Sequence, residues 1–210
     1  MSDRPAATRQ VLLRTRRQLD RMRKGTTMLR RKREALVAEL FQLARPAASA
    51  RQAIAAEATQ AYGALLEAYA REGHAGIRPW AWPGRELTVE IRPLSVWGVP
   101  ASAITDAPTV ARTAASRGTP PGPARAALLE TAEHFERLVD RLVTSAPREL
   151  LLQRLGQALS STTRQVNVLE QRLAPGLARQ LMDVRRRLEE REREEHVRLE
   201  RLKARTSSPA

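Results

Sequence analysis

From Leu12 onward, apolar residues recur at alternating steps of three and four. With Leu12 as heptad position a, the a and d positions are Leu12, Thr15, Leu19, Met22, Thr26, Leu29, Arg33, Leu36, Leu40, Leu43, Ala47, Ala50, Ile54, Glu57 and Ala61. Eleven of these fifteen are apolar, which marks residues 8 to 71 as one helix with a coiled-coil seam. The seam shifts from Leu to Ala in its second half, so a partner helix can approach closely there. A second stripe runs through residues 124 to 205. It comprises Leu128, Ala132, Phe135, Val139, Leu142, Ala146, Leu151, Leu155, Leu159, Thr162, Val166, Leu169, Leu173, Leu177, Leu181, Val184 and Leu188. Its one step of five, at Pro147, predicts a register slip.

Residues 72–123 break the pattern. They hold most of the prolines and glycines and all three tryptophans, Trp80, Trp82 and Trp97. Leu87-Thr88-Val89-Glu90-Ile91 alternates as a half-buried strand does, and Ser95-Val96-Trp97 is the expected partner strand of a short hairpin. Residues 105–122, rich in Pro, Thr and Ala, read as a loop. The predicted organisation is an N-terminal coiled-coil helix (1–71), a Pro/Gly/Trp-rich middle segment (72–123), and a C-terminal coiled-coil helix with a short tail (124–210). Neither stripe can face water, so the two helices fold back on each other. The fold class is all-α: a long antiparallel two-helix coiled-coil hairpin with a small irregular or β-hairpin segment at the turn.

At ~1.5 Å per residue the helices would be roughly 95 and 120 Å long. Setting Arg71 opposite Pro123 brings Pro46 and Pro147 to one height, where a shared kink or loosening is expected. The same register places Thr8 near Arg186, so the C-terminal helix projects past the N-terminus. The basic residues 14–33 are expected to meet the segment 189–195 and the residues just before it, a pairing that selects orientation more than it adds stability.

Composition fits this architecture. Aromatics are 3% of the 210 residues, charged residues 29%, and there is no cysteine. Leu and Ala must therefore build the core, and disulfide, thiolate or Cys-zinc chemistry is excluded. No apolar run reaches the ~18–20 residues of a membrane span, and the N-terminus lacks a signal-peptide pattern. The expected setting is cytoplasmic. The net charge is +14, and residues 1–34 carry twelve Arg/Lys against three acids. Such a face invites an acidic partner. Nucleic acid is one candidate, but no aromatic precedes Phe41 to stack on bases, so a protein-facing surface is the stronger reading.

Candidate chemistry is sparse. Neither a G-x-x-x-x-G-K-[ST] nor a G-x-G-x-x-G phosphate loop occurs. His74, His134 and His196 are far apart and form no zinc motif. No catalytic residue, metal site or cofactor site is expected. The candidate contact residues are basic: Arg14, Arg17, Arg21, Arg30, Arg31, Lys32 and Arg33 on the first helix, and Arg191, Arg198, Arg201 and Lys203 on the second. The tryptophans either form a docking surface at the hairpin tip or a mini-core for the middle segment.

Two blocks carry a family resemblance. The first is Arg23-Lys24-Gly25-Thr26-Thr27-Met28-Leu29-Arg30-Arg31-Lys32-Arg33-Glu34-Ala35-Leu36. The second comprises Thr163-Arg164-Gln165-Val166-Asn167-Val168-Leu169-Glu170, Leu173-Ala174-Pro175 and Leu188-Glu189-Glu190-Arg191-Glu192-Arg193-Glu194-Glu195. Their order and spacing resemble the D subunits of the V/A-type rotary ATPases, whose signatures are Leu-Leu-Lys-x-Lys-Arg-x-x-Leu after a Gly, then Arg-Arg-Val-Asn-Ala-Leu-Glu, Ile-Pro and Leu-Glu-Glu-Arg-Glu-Arg-Glu-Glu. The Gly98-Val99-Pro100 string is similar to the family's middle. The resemblance implies a non-catalytic rotor shaft, peripheral to the membrane. Its paired termini would enter the hexamer of catalytic A and B subunits, and its lower part would meet the F subunit and the membrane-rotor adaptor. The alternative is a basic coiled-coil scaffold or nucleic-acid-binding module. Departures from the family pattern lie at Pro46, Pro147, the middle segment, and Thr163-Arg164-Gln165, which replaces part of the Arg-Arg-Val run.

Overall fold

The computed structural model describes residues 8–78, 86–113, 115–117 and 126–206. Helix α1 spans Arg9–Ile77, strands β1 and β2 span Glu90–Val96 and Val99–Asp106, and α2 spans Ala126–Val168. A π-helical turn, Leu169–Leu173, joins α2 to α3, Ala174–Thr206. The fold is all-α with one small antiparallel hairpin. It divides into two compact units, Met1–Glu34 with Ser160–Ala210 and Ala35–Leu159.

Each unit is an antiparallel helical pair. In the first, Arg9 meets Glu192 while Arg30 meets Glu170. In the second, Leu36 packs with Leu155 and Ala68 with Leu128. The seam read from Leu12 holds throughout: none of its fifteen positions is exposed. The main helical run of α1 ends at Gly73, whose φ of 65° is a conformation that glycine adopts without a Cβ penalty. Beyond it Ile77 turns back and is buried against Ala68 and Leu128.

The second stripe is correct at most positions and wrong at three. Leu142, Ala146 and Leu173 are exposed rather than core. Around the first two, Val143 and Ser145 take the inward places, so the slip begins a turn before Pro147. At Leu173 the cause is the π turn, in which Ala174 N–H donates to the carbonyl of Leu169, five residues back. Pro175, which follows, has no N–H and would crowd the carbonyl four residues earlier in a regular helix. Widening the turn relieves that crowding and swings Leu173 outward.

Pro46 and Pro147 both lie inside helices, and the one non-helical conformation noted within α1 is at Gly73 rather than at Pro46. An open cleft of ≈ 690 Å³ lies between Leu40 and Arg51 on α1 and Ala146, Glu149, Leu150 and Gln153 on α2.

The hairpin differs from its sequence-based reading in register and in place. β1 runs from Glu90 to Val96, so Ser95 and Val96 end the first strand instead of forming the second. The partner is β2, which takes in Thr105 and Asp106 from the expected loop. Trp97 and Gly98 form the two-residue turn, with φ of 52° and 76°. Positive φ at both positions is what a type I′ turn requires. It is an unusual conformation for a bulky residue such as Trp97. Counting outward from the turn, Val96↔Val99 and Leu94↔Ala101 are bonded pairs, and Ser95↔Pro100 and Pro93↔Ser102 fall between them. Each proline thus sits where its missing N–H would have pointed away from the ladder. The hairpin does not lie at the turn between the helices. Val99 packs on Leu36 and Leu155, far along the pair from Ile77, and Arg154 Nη1 donates to the Pro100 carbonyl at 2.9 Å.

Candidate partner-binding surfaces

The heptad register sorts the cations of α1 by direction. Arg14, Arg17, Arg21, Lys24 and Arg31 follow c and f positions, the line farthest from the seam, interrupted only by exposed Met28. All are exposed, as is Lys32 beside them. This line contains no acid, so it presents concentrated positive potential to whatever lies outside the pair.

A second line was not anticipated, although the register contained it. Arg9, Arg16, Arg23, Arg30 and Arg51 all occupy position e. Three of them bridge to the opposite helix: Arg9 to Glu192 at 2.8 Å, Arg30 to Glu170 at 2.5 Å, and Arg51 to Glu149 through both Nε and Nη2. Position-e charges choose partner orientation, and these choose antiparallel. The hydrogen bond from Arg30 holds the Glu170 carboxyl below its ordinary value against a smaller opposing effect of burial, and the Arg30 and Arg33 charges add to it. Arg51 lowers Glu149 in the same way. Arg30 and Arg33 therefore face the seam and its acids, and they separate from the outward candidates Arg14, Arg17, Arg21 and Arg31; Lys32, at position g, is exposed beside that line.

On α3, Arg191, Arg198, Arg201 and Lys203 are all exposed, as is every residue from 189 to 203. The helix continues past Glu192, the partner of Arg9, to Thr206. The projecting end thus exists, with Val197, Leu199 and Leu202 exposed along it. Along it His196 Nε2 lies 3.3 Å from Glu200, spaced i, i+4, and just before it Arg185 pairs with Glu189 at the same spacing. Pairs spaced i, i+4 support a helix without a partner. Raising salt to about 1 M, where screening acts over only ~3 Å, should therefore fray α3 from its C-terminal end. The loss of ellipticity at 222 nm should be absent in a variant truncated after Glu190.

Trp97 is 58% exposed at the hairpin turn. Trp80 and Trp82 lie outside the described residues. Near the helical turn, Tyr62, Leu66 and Tyr69 form an exposed apolar line on α1, and Tyr62 meets Phe135 edge-to-face at 5.7 Å.

Two polar clusters brace the second unit. Glu57, at a buried d position, faces His134 Nδ1 and Arg137 Nε, each at 3.0 Å, with Arg141 Nε at 3.6 Å. The hydrogen bond from His134, then that from Arg137, holds Glu57 below the usual carboxylate value. In the other, Glu136 accepts from the backbone N–H of Arg112 at 3.0 Å and from Arg117 Nη2 at 2.7 Å. This ties the segment after β2 onto α2. The Arg117 side chain is only 5% exposed. The sequence pattern announces neither cluster. Among the described residues no group of His, Asp and Glu is arranged to hold a metal ion, and no helix is long and apolar enough to cross a membrane.

The second unit is thus an antiparallel helical pair with a docked β-hairpin, and the first a helical pair with a cation-lined outer face and an exposed helical end. The particular family follows from sequence comparison: the chain belongs to the ATP synthase D-subunit family, whose profile matches residues 11–204. It is 37% identical over 211 residues, 99% of each chain, to the V-type ATP synthase D subunit of Anaeromyxobacter dehalogenans (strain 2CP-C). The V-type D subunit of Thermus thermophilus is 37% identical over 93% of this chain and 86% of its own. The A-type D subunit of Methanoregula boonei is 30% identical over 96% of each.

Proposed function

We propose that this chain is the central-stalk shaft of a V/A-type rotary ATP synthase or ATPase. It would carry torque between an ion-driven ring in the membrane and the catalytic A/B hexamer without itself binding nucleotide or cofactor. Family membership supports the assignment to such a complex. The observation that carries the mechanical reading is the basic outward line of Arg14, Arg17, Arg21, Lys24 and Arg31, in the same unit as the projecting α3 end. A shaft biases three catalytic interfaces only through contacts that differ among them. A face of one charge on one helix supplies such asymmetry. In this reading the paired termini meet acidic loops of the hexamer. The F subunit and the membrane-rotor adaptor take the surfaces toward the helical turn, where Tyr62, Leu66 and Tyr69 are exposed.

The test is to co-express the chain with A, B and F subunits and reconstitute the membrane complex with Arg14, Arg17, Arg21, Arg31 and Lys32 changed to Gln. Helicity of the variant should match the parent, since none of these residues makes the seam ion pairs. ATP hydrolysis should persist while ions moved per ATP fall several-fold. Unchanged coupling would sink the bearing-contact reading. Failure to assemble, with the chain alone held on DNA at physiological salt, would favour a basic nucleic-acid-binding coiled coil.

A further inference from the structure

Within the first unit, the position-e arginines Arg9 and Arg30 are 21 residues apart, three heptads. Their partners Glu192 and Glu170 are 22 apart. The opposite strand of the pair therefore carries one surplus residue between the two bridges, and the π turn Leu169–Leu173 is where it is absorbed. The two bridges stay in register because the turn is wide.

Fully buried contacts in the seam lapse at the same level. From residue 167 to 183 no position is fully buried, although Val166 and Val184 on either side are. On α1 the same holds from residue 20 to 34. That stretch contains Thr26 and Thr27, whose hydroxyls donate to the carbonyls of Met22 and Arg23 at 2.9 and 3.0 Å. Hydroxyl back-bonds of this kind compete with the helical ladder and bend it. Gly25 and, on the other helix, Gly176 each have open space where a Cβ would stand. Both helices are thus loosened together: one by a widened turn and a proline, the other by a glycine and two back-bonding threonines. The Arg30–Glu170 bridge spans them.

We infer that the π turn and the facing Gly25-Thr26-Thr27 segment form a soft joint in the helical pair, latched by Arg30–Glu170, at which the pair opens and twists before its flanks do. Low local stability follows from few buried contacts and weakened backbone bonding. The mechanical property belongs to the chain alone. That twist is stored there during rotation is a consequence resting on the shaft reading, and the following test does not depend on it.

Amide hydrogen exchange on the full chain should show residues 169–176 and 25–30 exchanging at least about ten-fold faster than residues 162–166 and 184–188. A variant lacking Arg172 and carrying Pro175→Ala removes the surplus and brings the glutamates to three-heptad spacing. It should keep full helicity and slow exchange across the joint by about ten-fold or more. A second variant, Gly25→Ala with Gly176→Ala, fills open space with the better helix former and should slow opening by about five-fold per site. Uniform exchange in the parent would overturn the inference. So would loss of helicity in the deletion variant, because the residue would then not be surplus, or exchange at the joint unchanged in both variants.

Discussion

Replacing Leu155 with alanine is expected to destabilise the chain by ~2–5 kcal/mol, the range for a fully buried leucine truncated in a rigid site. Leu155 is 0% exposed and touches both Leu36, also 0% exposed, and Val99 of the hairpin. One substitution therefore loosens helix from helix and hairpin from helix. Val99→Ala should be non-additive with it, by more than ~0.5 kcal/mol, because the two side chains share one contact region. Leu142→Ala is the control: the apolar stripe assigns it to the core, but its side chain is exposed, so its cost should stay within ~0.5 kcal/mol. Urea unfolding followed at 222 nm measures all three. Equal losses for Leu155→Ala and Leu142→Ala would show that the simple stripe, and not the shifted packing, describes α2.

Glu136→Gln should cost about 3 kcal/mol, the lower end for a buried ion pair that loses one partner, because Arg112 is part-exposed and can rehydrate. Arg117 cannot do so without leaving its site. The segment running from β2 to Arg117 should detach from α2, and trypsin should then cut after Arg112 and Arg117 while the helices remain intact. Changing both Glu136 and Arg117 to leucine should recover most of the loss. The pair also makes stability depend on acid. Burial alone would raise the Glu136 carboxyl, but hydrogen bonds from Arg117 and Arg112 together outweigh it and hold the group below its ordinary 4.5. A depressed folded-state value means that the contribution is complete above about 4.5 and disappears as pH falls through the lower folded value. Glu136→Gln should flatten the loss of stability with falling pH in that window.

How far these features could be read from sequence depends on the residue. The α1 seam was fully legible because fifteen successive a and d positions keep one period and both polar and apolar members obey it. The α2 and α3 stripe misled at Leu142, Ala146 and Leu173, where prolines disturb the backbone period. A trace of the π turn was present: Leu169, Leu173, Leu177 and Leu181 are spaced by three successive fours, a drift that a ~3.5-residue seam cannot follow without an adjustment. The hairpin was misplaced because Trp97-Gly98 is not a usual two-residue turn and because Pro93 and Pro100 argue against strands. Its docking on Leu36 and Leu155 is a long-range contact that no local pattern announces. Of the candidate surface, the outward cations were visible in composition. The bridging arginines at position e followed from the register once every seventh residue was counted. Glu57 counted only as a polar exception in the seam, since its partners His134 and Arg137 lie 77 and 80 residues away on another helix.

The placement of Pro93 and Pro100 bears on what happens to the chain before it finds its partners. An exposed two-stranded ribbon offers free N–H groups along its rims, and such rims recruit strands from neighbouring molecules. Here the outward donor is missing at one point on each rim, while the ladder keeps one register from Ile91↔Ile104 to the turn. A chain synthesised in excess of its complex therefore carries a hairpin whose two rims are each interrupted as templates for a neighbour's strand.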